Sequence, residues 1–170
     1  MSKAFTQEDD GGQPPALVRL QSPLKLGERN YLTPAGARKL REELEQLSMV
    51  KRPSLLAIAQ KDDEAKRQLE LLDQRLAYLE ESLRTAEVLP LPVREENRVR
   101  FGASVTVKEN AGGTTTYRLV GVDETDLDRN WVSWQSPVAR ALLNRQLGER
   151  VMFTFPAGKA ELEITKIEYL

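Results

Sequence analysis

Residues 67–83 read RQLELLDQRLAYLEESL, and the leucines of this stretch decide the fold of the first half of the chain. Five of them follow one another at spacings of three and four, with Glu, Arg and Gln in between. This rhythm predicts an amphipathic helix with a narrow apolar seam, as in a coiled coil. The seam residues are Leu69, Leu72, Leu76, Leu79 and Leu83.

A second amphipathic stretch precedes the leucine seam. Thr33 is a suitable N-cap, and Pro34 suits the first helical position because its missing N–H would have no partner there. The apolar pattern that follows is interrupted near Pro53, where we expect a kink, and resumes at Leu55, Leu56 and Ile58. Two such helices joined by a short polar turn bury their stripes by folding back on each other. Residues 31–88 are therefore predicted to form an antiparallel coiled-coil hairpin.

The rest of the chain divides into an arm, a linker and a second domain. Residues 1–30 are rich in Gln, Asp, Gly and Pro without an apolar period, which predicts a disordered arm. Residues 89–97 begin with LPLP, whose prolines are expected to end the second helix. In residues 98–170 the apolar period changes to two, which predicts a small antiparallel sheet. One short helix is expected after Ser136 as N-cap and Pro137, so the fold class is α+β.

Composition limits the chemistry that this chain can perform. Its 25 Lys and Arg against 26 Asp and Glu give a net charge of -1, without the basic surplus of unaided nucleic-acid binders. The absence of Cys and His excludes disulfides, thiolate zinc sites and any imidazole-based triad or metal site. No apolar run approaches the roughly 20 residues of a membrane span, and no signal-peptide pattern opens the chain, so we expect a cytoplasmic location without membrane contact.

The two halves in this order resemble the bacterial Gre transcript-cleavage and elongation factors, and the opening MSKAFT looks most like their B-type branch. The resemblance covers about residues 30–170 and is densest in the C-terminal domain. It rests on YLTPAGARKLREELEQL (31–47), RTAEVL (84–89), FGASVTV (101–107), YRLVGVDETD (117–126), SPVARALLNRQLGERV (136–151) and PAGKAELEITKIEY (156–169).

The resemblance implies a coiled coil that enters the secondary channel of RNA polymerase and an FKBP-like C-terminal domain that binds the rim of that channel. RNA polymerase is then the partner, and nascent RNA or DNA is contacted through the elongation complex. Such a factor is not an enzyme, since at most it stimulates the RNA cleavage of the polymerase. By the same resemblance, the polymerase-binding residues are Asp123, Glu124, Asp126, Ser136 and Pro137, although in this sequence they also read as an acidic loop and a helix start.

The tip of the hairpin departs from the family pattern. Members that stimulate cleavage have an acidic tip motif, G-D-x-x-E-N, which helps to hold a second magnesium ion in the polymerase. Here QKDDEAK at 60–66 replaces it, and about a dozen hairpin residues are missing, so the tip retreats by roughly 9 Å. A magnesium ligand must lie about 2.1 Å from the ion. We therefore interpret Asp62, Asp63 and Glu64 first as a helix cap, with electrostatic contact or magnesium ligation as alternatives.

Three functions are compatible with these features. The first, which we expect, is a polymerase secondary-channel regulator with weak or no stimulation of cleavage. The second is an active cleavage factor that uses the Asp62-Asp63-Glu64 turn. The third, an FKBP-like protein-binding or isomerase module, is disfavoured because only 6% of residues are aromatic. No intrinsic cofactor or metal is expected, only magnesium shared with the polymerase.

Overall fold

The computed structural model describes residues 24–25, 27–92, 97–110 and 112–169. In these ranges a helical hairpin precedes a curled five-stranded sheet with one short helix, so the predicted α+β class is confirmed. Most of the predicted disordered arm, and residues 93–96 of the predicted linker, lie outside the described residues. Within the described ranges, no helix has both the length and the apolar character needed to cross a membrane.

The first arm of the hairpin starts at the predicted cap. Helix α1 spans Pro34–Gln46, and the Thr33 hydroxyl oxygen accepts a hydrogen bond from the Gly36 N–H at 3.0 Å. Pro34 occupies the first turn, where a missing backbone donor leaves no bond unmade. The helix start predicted from the Thr-Pro pair is thus confirmed.

The interruption expected near Pro53 is a widened turn, through which the arm continues. Residues Leu47–Lys51 form a π-helical turn that joins α1 to helix α2, Arg52–Ala59. The Arg52 N–H donates to the carbonyl of Leu47, five residues back, as a π turn requires. Proline offers no N–H to the preceding turn, and the widened turn accommodates its ring.

Helix α3, Asp63–Thr85, is the second arm and contains the leucine seam. The three central seam leucines, Leu72, Leu76 and Leu79, are buried. The two outer ones, Leu69 and Leu83, are half-buried. On the first arm, Leu55 is half-buried, whereas Leu56 and Ile58 are 44% and 51% exposed. The predicted seam is therefore continuous in α3 but incomplete in α2.

Two short strands close the base of the hairpin. Strand β1, Asn30–Leu32, pairs in parallel with strand β2, Ala86–Val88. Strand β1 thus begins one residue before the predicted start of the hairpin. The second helix ends at Thr85 and strand β2 follows it, so the prolines at 90 and 92 lie beyond the helix end that they were expected to cause. The pairing supplies hydrogen-bond partners for the backbone just before α1 and just after α3, which buried peptide groups require.

The C-terminal sheet has the strand order β5-β4-β3-β7-β6. Its strands are β3 (Ala103–Glu109), β4 (Thr114–Val120), β5 (Trp131–Ser133), β6 (Arg150–Phe155) and β7 (Gly158–Tyr169). The prediction of an antiparallel sheet is correct for three pairings and wrong for β5, which runs parallel to β4. Two 3₁₀ turns between these strands bring the chain back before it enters β5, so both strands point the same way.

Most of the buried apolar side chains belong to two separate clusters. The larger one lies in the C-terminal domain and includes residues of helix α4, Pro137–Leu142, which packs on the sheet. The smaller one lies at the hairpin base and consists of Leu32, Ala37, Leu40 and Leu79. Among the described residues, the two clusters share no member. The contacts between the two cores therefore bear on how the hairpin stands on the C-terminal domain.

Candidate functional site

The tip turn, residues 60–62, separates α2 from α3 and has the geometry of a helix cap. Asp62 is the N-cap of α3, and its Oδ1 accepts a hydrogen bond from the Glu64 N–H at 2.9 Å. Asp63 and Glu64 lie in the first helical turn, where the helix dipole favours negative charge. The Glu64 carboxylate also accepts from the Gln68 side chain at 3.2 Å. All three acidic residues are exposed to solvent.

These tip carboxylates do not form a metal site by themselves. Within the described part of the chain, no group of three or more Asp or Glu residues is arranged to hold a metal ion. Magnesium binds to one or two protein carboxylates when waters and phosphates supply the other ligands. Any ion at this tip would thus need ligands from a second molecule.

Two ion pairs tie the arms together between base and tip. Arg52 on the first arm binds Asp73 with a shortest distance of 2.7 Å, and Arg75 on the second arm binds Glu43 at 2.8 Å. Each guanidinium uses two nitrogens, a geometry that is directional as well as charged. The bond to Glu43 raises the pKa of the Arg75 guanidinium above its ordinary value. These arginines therefore contribute to the hairpin's own structure.

The predicted acidic loop contacts the first helix at the hairpin base. Residues Val122–Glu124 form a 3₁₀ turn just after β4. The Glu124 Oε2 atom accepts from the Thr33 N–H at 2.9 Å and from the Gly121 N–H at 3.1 Å. The Thr33 hydroxyl donates to the other oxygen, Oε1. Glu124 thus binds the residue that caps α1.

Asp123 contacts the second helix in the same way. The hydroxyls of Tyr78 and Ser82 donate to its two carboxylate oxygens. Because these hydroxyl residues are four positions apart, they share one face of α3. The adjacent residues Asp123 and Glu124 therefore bind the two arms separately. We call these two side chains, with Thr33, Tyr78 and Ser82, the acidic clamp.

Glycines make room for the acidic clamp at two places. A Cβ atom on Gly36 would lie 2.0 Å from the Oε1 atom of Glu124, which is far closer than atoms can pack. A Cβ atom on Gly121 would lie 2.1 Å from the carbonyl oxygen of Tyr31. The close approach of the two domains thus depends on the missing side chains.

A cleft of about 430 Å³ opens beside the clamp, between α1 and the C-terminal domain. Asp126 lines it, caps the second 3₁₀ turn and pairs with Arg129 at 3.4 Å. The guanidinium groups of Arg118 and Arg129 lie 4.7 and 5.5 Å from the centre of the Trp131 ring. The lining contains Lys39, Arg75, Arg118 and Arg129 together with Glu43, Asp123, Glu124 and Asp126. Positive and negative side chains are thus balanced, so the cleft selects neither anions nor cations by net charge.

Ser136 and Pro137 begin α4, as the sequence predicts. The Ser136 hydroxyl oxygen accepts from the Ala139 N–H at 3.2 Å, and Pro137 is exposed in the first turn. Just before them, the backbone N–H of Trp134 donates to the backbone carbonyl of Val120 at 2.9 Å. The start of α4 therefore lies at the same end of β4 as the acidic clamp.

The partners of the clamp carboxylates were missed by the sequence reasoning, which assigned no role to Tyr78 or Ser82. One local signal was available: Gly36 stands in the first turn of a helix, where Ala would be more favourable by about 1 kcal/mol. A glycine in such a position indicates that another group approaches the backbone closely.

A two-armed helical hairpin, fixed at its base on a small α+β domain by an acidic loop, defines a class of protein with a projecting coiled coil. The family described as "Transcription elongation factor, GreA/GreB, C-term" matches residues 94–169. The chain is 36% identical to the transcription elongation factor GreB of Neisseria meningitidis serogroup B, over 84% of this chain and 95% of that relative. It is 38% identical to GreA of Alkalilimnicola ehrlichii, over 81% of this chain and 96% of that relative. The chain therefore belongs to the GreA/GreB family of transcription elongation factors, and the resemblance found in the sequence is confirmed.

The solved structures similar to this chain include the prokaryotic transcription elongation factor GreA/GreB from Nitrosomonas europaea. It is 20% identical to this chain with a TM-score of 0.41, and the match covers 84% of this chain and 99% of that chain.

Proposed function

We propose that this protein regulates transcription elongation by binding RNA polymerase and inserting its hairpin into the secondary channel, with weak or no stimulation of transcript cleavage. Membership of the GreA/GreB family supports the polymerase as partner, with nascent RNA or DNA contacted through the elongation complex. The C-terminal domain then has an FKBP-like character and binds the channel rim through Asp126, Ser136 and Pro137. The protein itself is then not an enzyme.

The geometry of the tip turn is the observation that carries this proposal. Asp62 uses a carboxylate oxygen to cap α3, and Glu64 accepts a bond from its own helix. Asp63 lies in the first turn of that helix. The start of α3 thus accounts for the presence of these three acidic residues without a metal ion.

A hairpin shorter than that of the relatives, as the sequence predicts, supports the same conclusion. The match to the Neisseria relative extends over 155 positions, whereas 84% of 170 residues amounts to about 143. About a dozen positions of the relative, the difference between these two numbers, therefore have no counterpart in this chain. If six are missing from each arm, the tip ends roughly 9 Å short of the longer hairpin.

Magnesium enters this proposal only as an ion shared with the polymerase. A carboxylate that ends several ångströms from the ion cannot be a ligand, because Mg²⁺–oxygen bonds are about 2.1 Å long. A hairpin that enters the channel without reaching the metal acts by obstruction or by allostery. This separates the proposed regulator from an active cleavage factor.

The test is RNA cleavage in backtracked elongation complexes of the cognate polymerase, with binding of the labelled protein measured in the same samples. We expect binding with cleavage close to the rate of the polymerase alone. Asp63→Asn and Glu64→Gln, which remove charge at the tip, should leave cleavage unchanged. Glu70→Gln on the exposed surface of α3 is the matched control. Robust cleavage that falls with the tip variants but not with the control would show an active cleavage factor instead.

A further inference from the structure

We propose that the acidic clamp sets the direction in which the hairpin projects from the C-terminal domain. Asp123 and Glu124 are then positioning residues that act through the hairpin, not contacts to the polymerase. The effect on the polymerase rests on the proposed function, whereas the effect on the hairpin direction does not.

The molecule has two separate apolar cores. The apolar cluster of the hairpin base and that of the C-terminal domain share no residue among those described. Across the junction, Tyr31 packs on Phe101 and Trp134, with ring centres 5.8 and 5.0 Å apart. Aromatic pairs of this kind tolerate ring-centre distances of roughly 4.5–7 Å, whereas hydrogen bonds to a carboxylate hold donor and acceptor within about 2.7–3.2 Å and at preferred angles. The clamp is thus suited to fix an angle between the two parts.

The clamp holds the hairpin at two points. Glu124 binds the N-cap of α1, and Asp123 binds a face of α3, so two helices are tied to a single 3₁₀ turn. One attachment point would leave the hairpin free to rotate about it. A second point on a separate helix leaves only rotation about the line between the two points, and the ring contacts of Tyr31 with Phe101 and Trp134 oppose that rotation. The Glu124 carboxylate is itself fixed by three donors, two from Thr33 and one from Gly121.

The length of the hairpin converts a small change of angle at the base into a large movement of the tip. The first arm consists of 13, 5 and 8 residues in α1, the π-helical turn and α2. At helical rise these span about 39 Å, so a rotation of about 10° at the base moves the tip by about 7 Å. This displacement is comparable to the difference that six residues per arm would make. Control of the base angle therefore decides where the tip lies as strongly as the hairpin length does.

The test measures the distance between spin labels at the tip and on the C-terminal domain of the isolated protein. Because the chain has no cysteine, Gln60→Cys at the tip and Met152→Cys, at a 62% exposed position of β6, give a unique label pair. We expect a narrow distance distribution for the otherwise unchanged protein. Glu124→Ala and Asp123→Ala should each broaden this distance distribution or shift its mean by several ångströms. A rotation of about 10° at the base moves the tip by about 7 Å, which sets the size of this shift.

Two further variants separate positioning from general loss of structure. Glu124→Gln keeps an acceptor for the Thr33 and Gly121 N–H groups and should restore the narrow distribution. Gly36→Ala should broaden it, because the new Cβ atom takes the place of Oε1 of Glu124 while Ala favours the helix. Circular dichroism should show undiminished helix content in both. Unchanged distributions in Glu124→Ala, Asp123→Ala and Gly36→Ala would overturn the inference.

The same variants are then measured for polymerase binding. Affinity should fall several-fold for Glu124→Ala and stay near that of the unchanged protein for Glu124→Gln. Failure of the unchanged protein to bind polymerase would refute the proposed function, whereas the label distances would still support the clamp. A Glu124→Ala chain with an unchanged distance distribution but lost binding would make Glu124 a direct polymerase contact and overturn the inference.

Discussion

The base and the tip of the hairpin are two regions of one coiled coil that are stabilised in different ways. At the base, Leu40 and Leu79 are buried, β1 pairs with β2, and the acidic clamp binds both arms. Towards the tip, α2 has no buried residue, and the pair of Arg52 with Asp73 links the arms. The comparison teaches that both arms bury apolar side chains at the base, whereas towards the tip only α3 does so, at Ala65 and Leu72, and hydrogen bonds and charge add to that burial.

This difference affects how each region responds to substitution. Burial of a leucine contributes about 2 kcal/mol or more, whereas a half-exposed ion pair contributes about 1 kcal/mol or less. Substitutions at the base should thus lower the stability of the whole hairpin. Substitutions at the tip should leave the stability nearly unchanged and alter the surface that the hairpin presents.

The largest expected effect is loss of the apolar core at the base. Leu79→Ala, at a position that is 0% exposed, should lower the free energy of unfolding by about 2–5 kcal/mol, because it removes buried methyl groups and leaves a cavity. Denaturant unfolding followed by circular dichroism measures the change. Leu71→Ala on the exposed side of the same helix is the control and should change stability by less than about 1 kcal/mol. Equal losses at both positions would contradict the assignment of the seam.

The next effect tests the N-cap at the base. Thr33→Ala removes a cap bond to Gly36 and the hydroxyl bond to Glu124, and should lower the free energy of unfolding by about 1–2 kcal/mol. Thr33→Ser keeps the hydroxyl and should recover most of this difference. A Ser variant as unstable as the Ala variant would indicate that the methyl group of Thr33, and not its hydroxyl, stabilises the base.

A smaller effect is expected for the ion pair in the tip region. Arg52 and Asp73 are 41% and 44% exposed, so a double-mutant cycle with Ala at each position should give a coupling of about 1 kcal/mol or less. The coupling should decline as salt rises, since exposed charges are screened. A coupling that is large and independent of salt would show that the tip region is held as firmly as the base.

An effect of similar size is expected at the tip turn. Asp62→Ala removes the cap of α3 and should cost about 0.5–1 kcal/mol of unfolding free energy, whereas Asp62→Asn should be nearly neutral because Asn caps helices equally well. Thermal unfolding of the two variants measures the difference. If Asn is as destabilising as Ala, the negative charge of Asp62 matters more than its hydrogen bond.

Local patterns predicted most of the helices and strands. The leucine rhythm gave α3, and the Thr33-Pro34 and Ser136-Pro137 pairs gave two helix starts, because caps depend on residues within one turn. The cap formed by Asp62 was found for the same reason. Strands β1 and β2 were missed because three residues show no period.

Long-range contacts could not be predicted from these patterns. The parallel pairing of β5 with β4 depends on the path of the intervening loop, not on the composition of either strand. In the clamp, Thr33 lies 91 residues before Glu124 in the sequence. Tyr78 lies 45 residues before Asp123. The sequence placed both carboxylates in an acidic loop, but only the fold shows which helices they bind.

The π-helical turn at Leu47–Lys51 has a consequence for the phase of the first arm. A π turn contains one residue more than an α turn, so it rotates every later side chain by about 100° around the helix axis. In an unbroken α-helix, Ile58 would share the inward face with Leu40 and Leu47. After this turn, Ile58 points to solvent, and Arg52 faces the second arm, where it binds Asp73. One inserted residue thus turns Ile58 away from the second arm, gives its inward position to the half-buried Ala59, and brings Arg52 to its ion pair with Asp73.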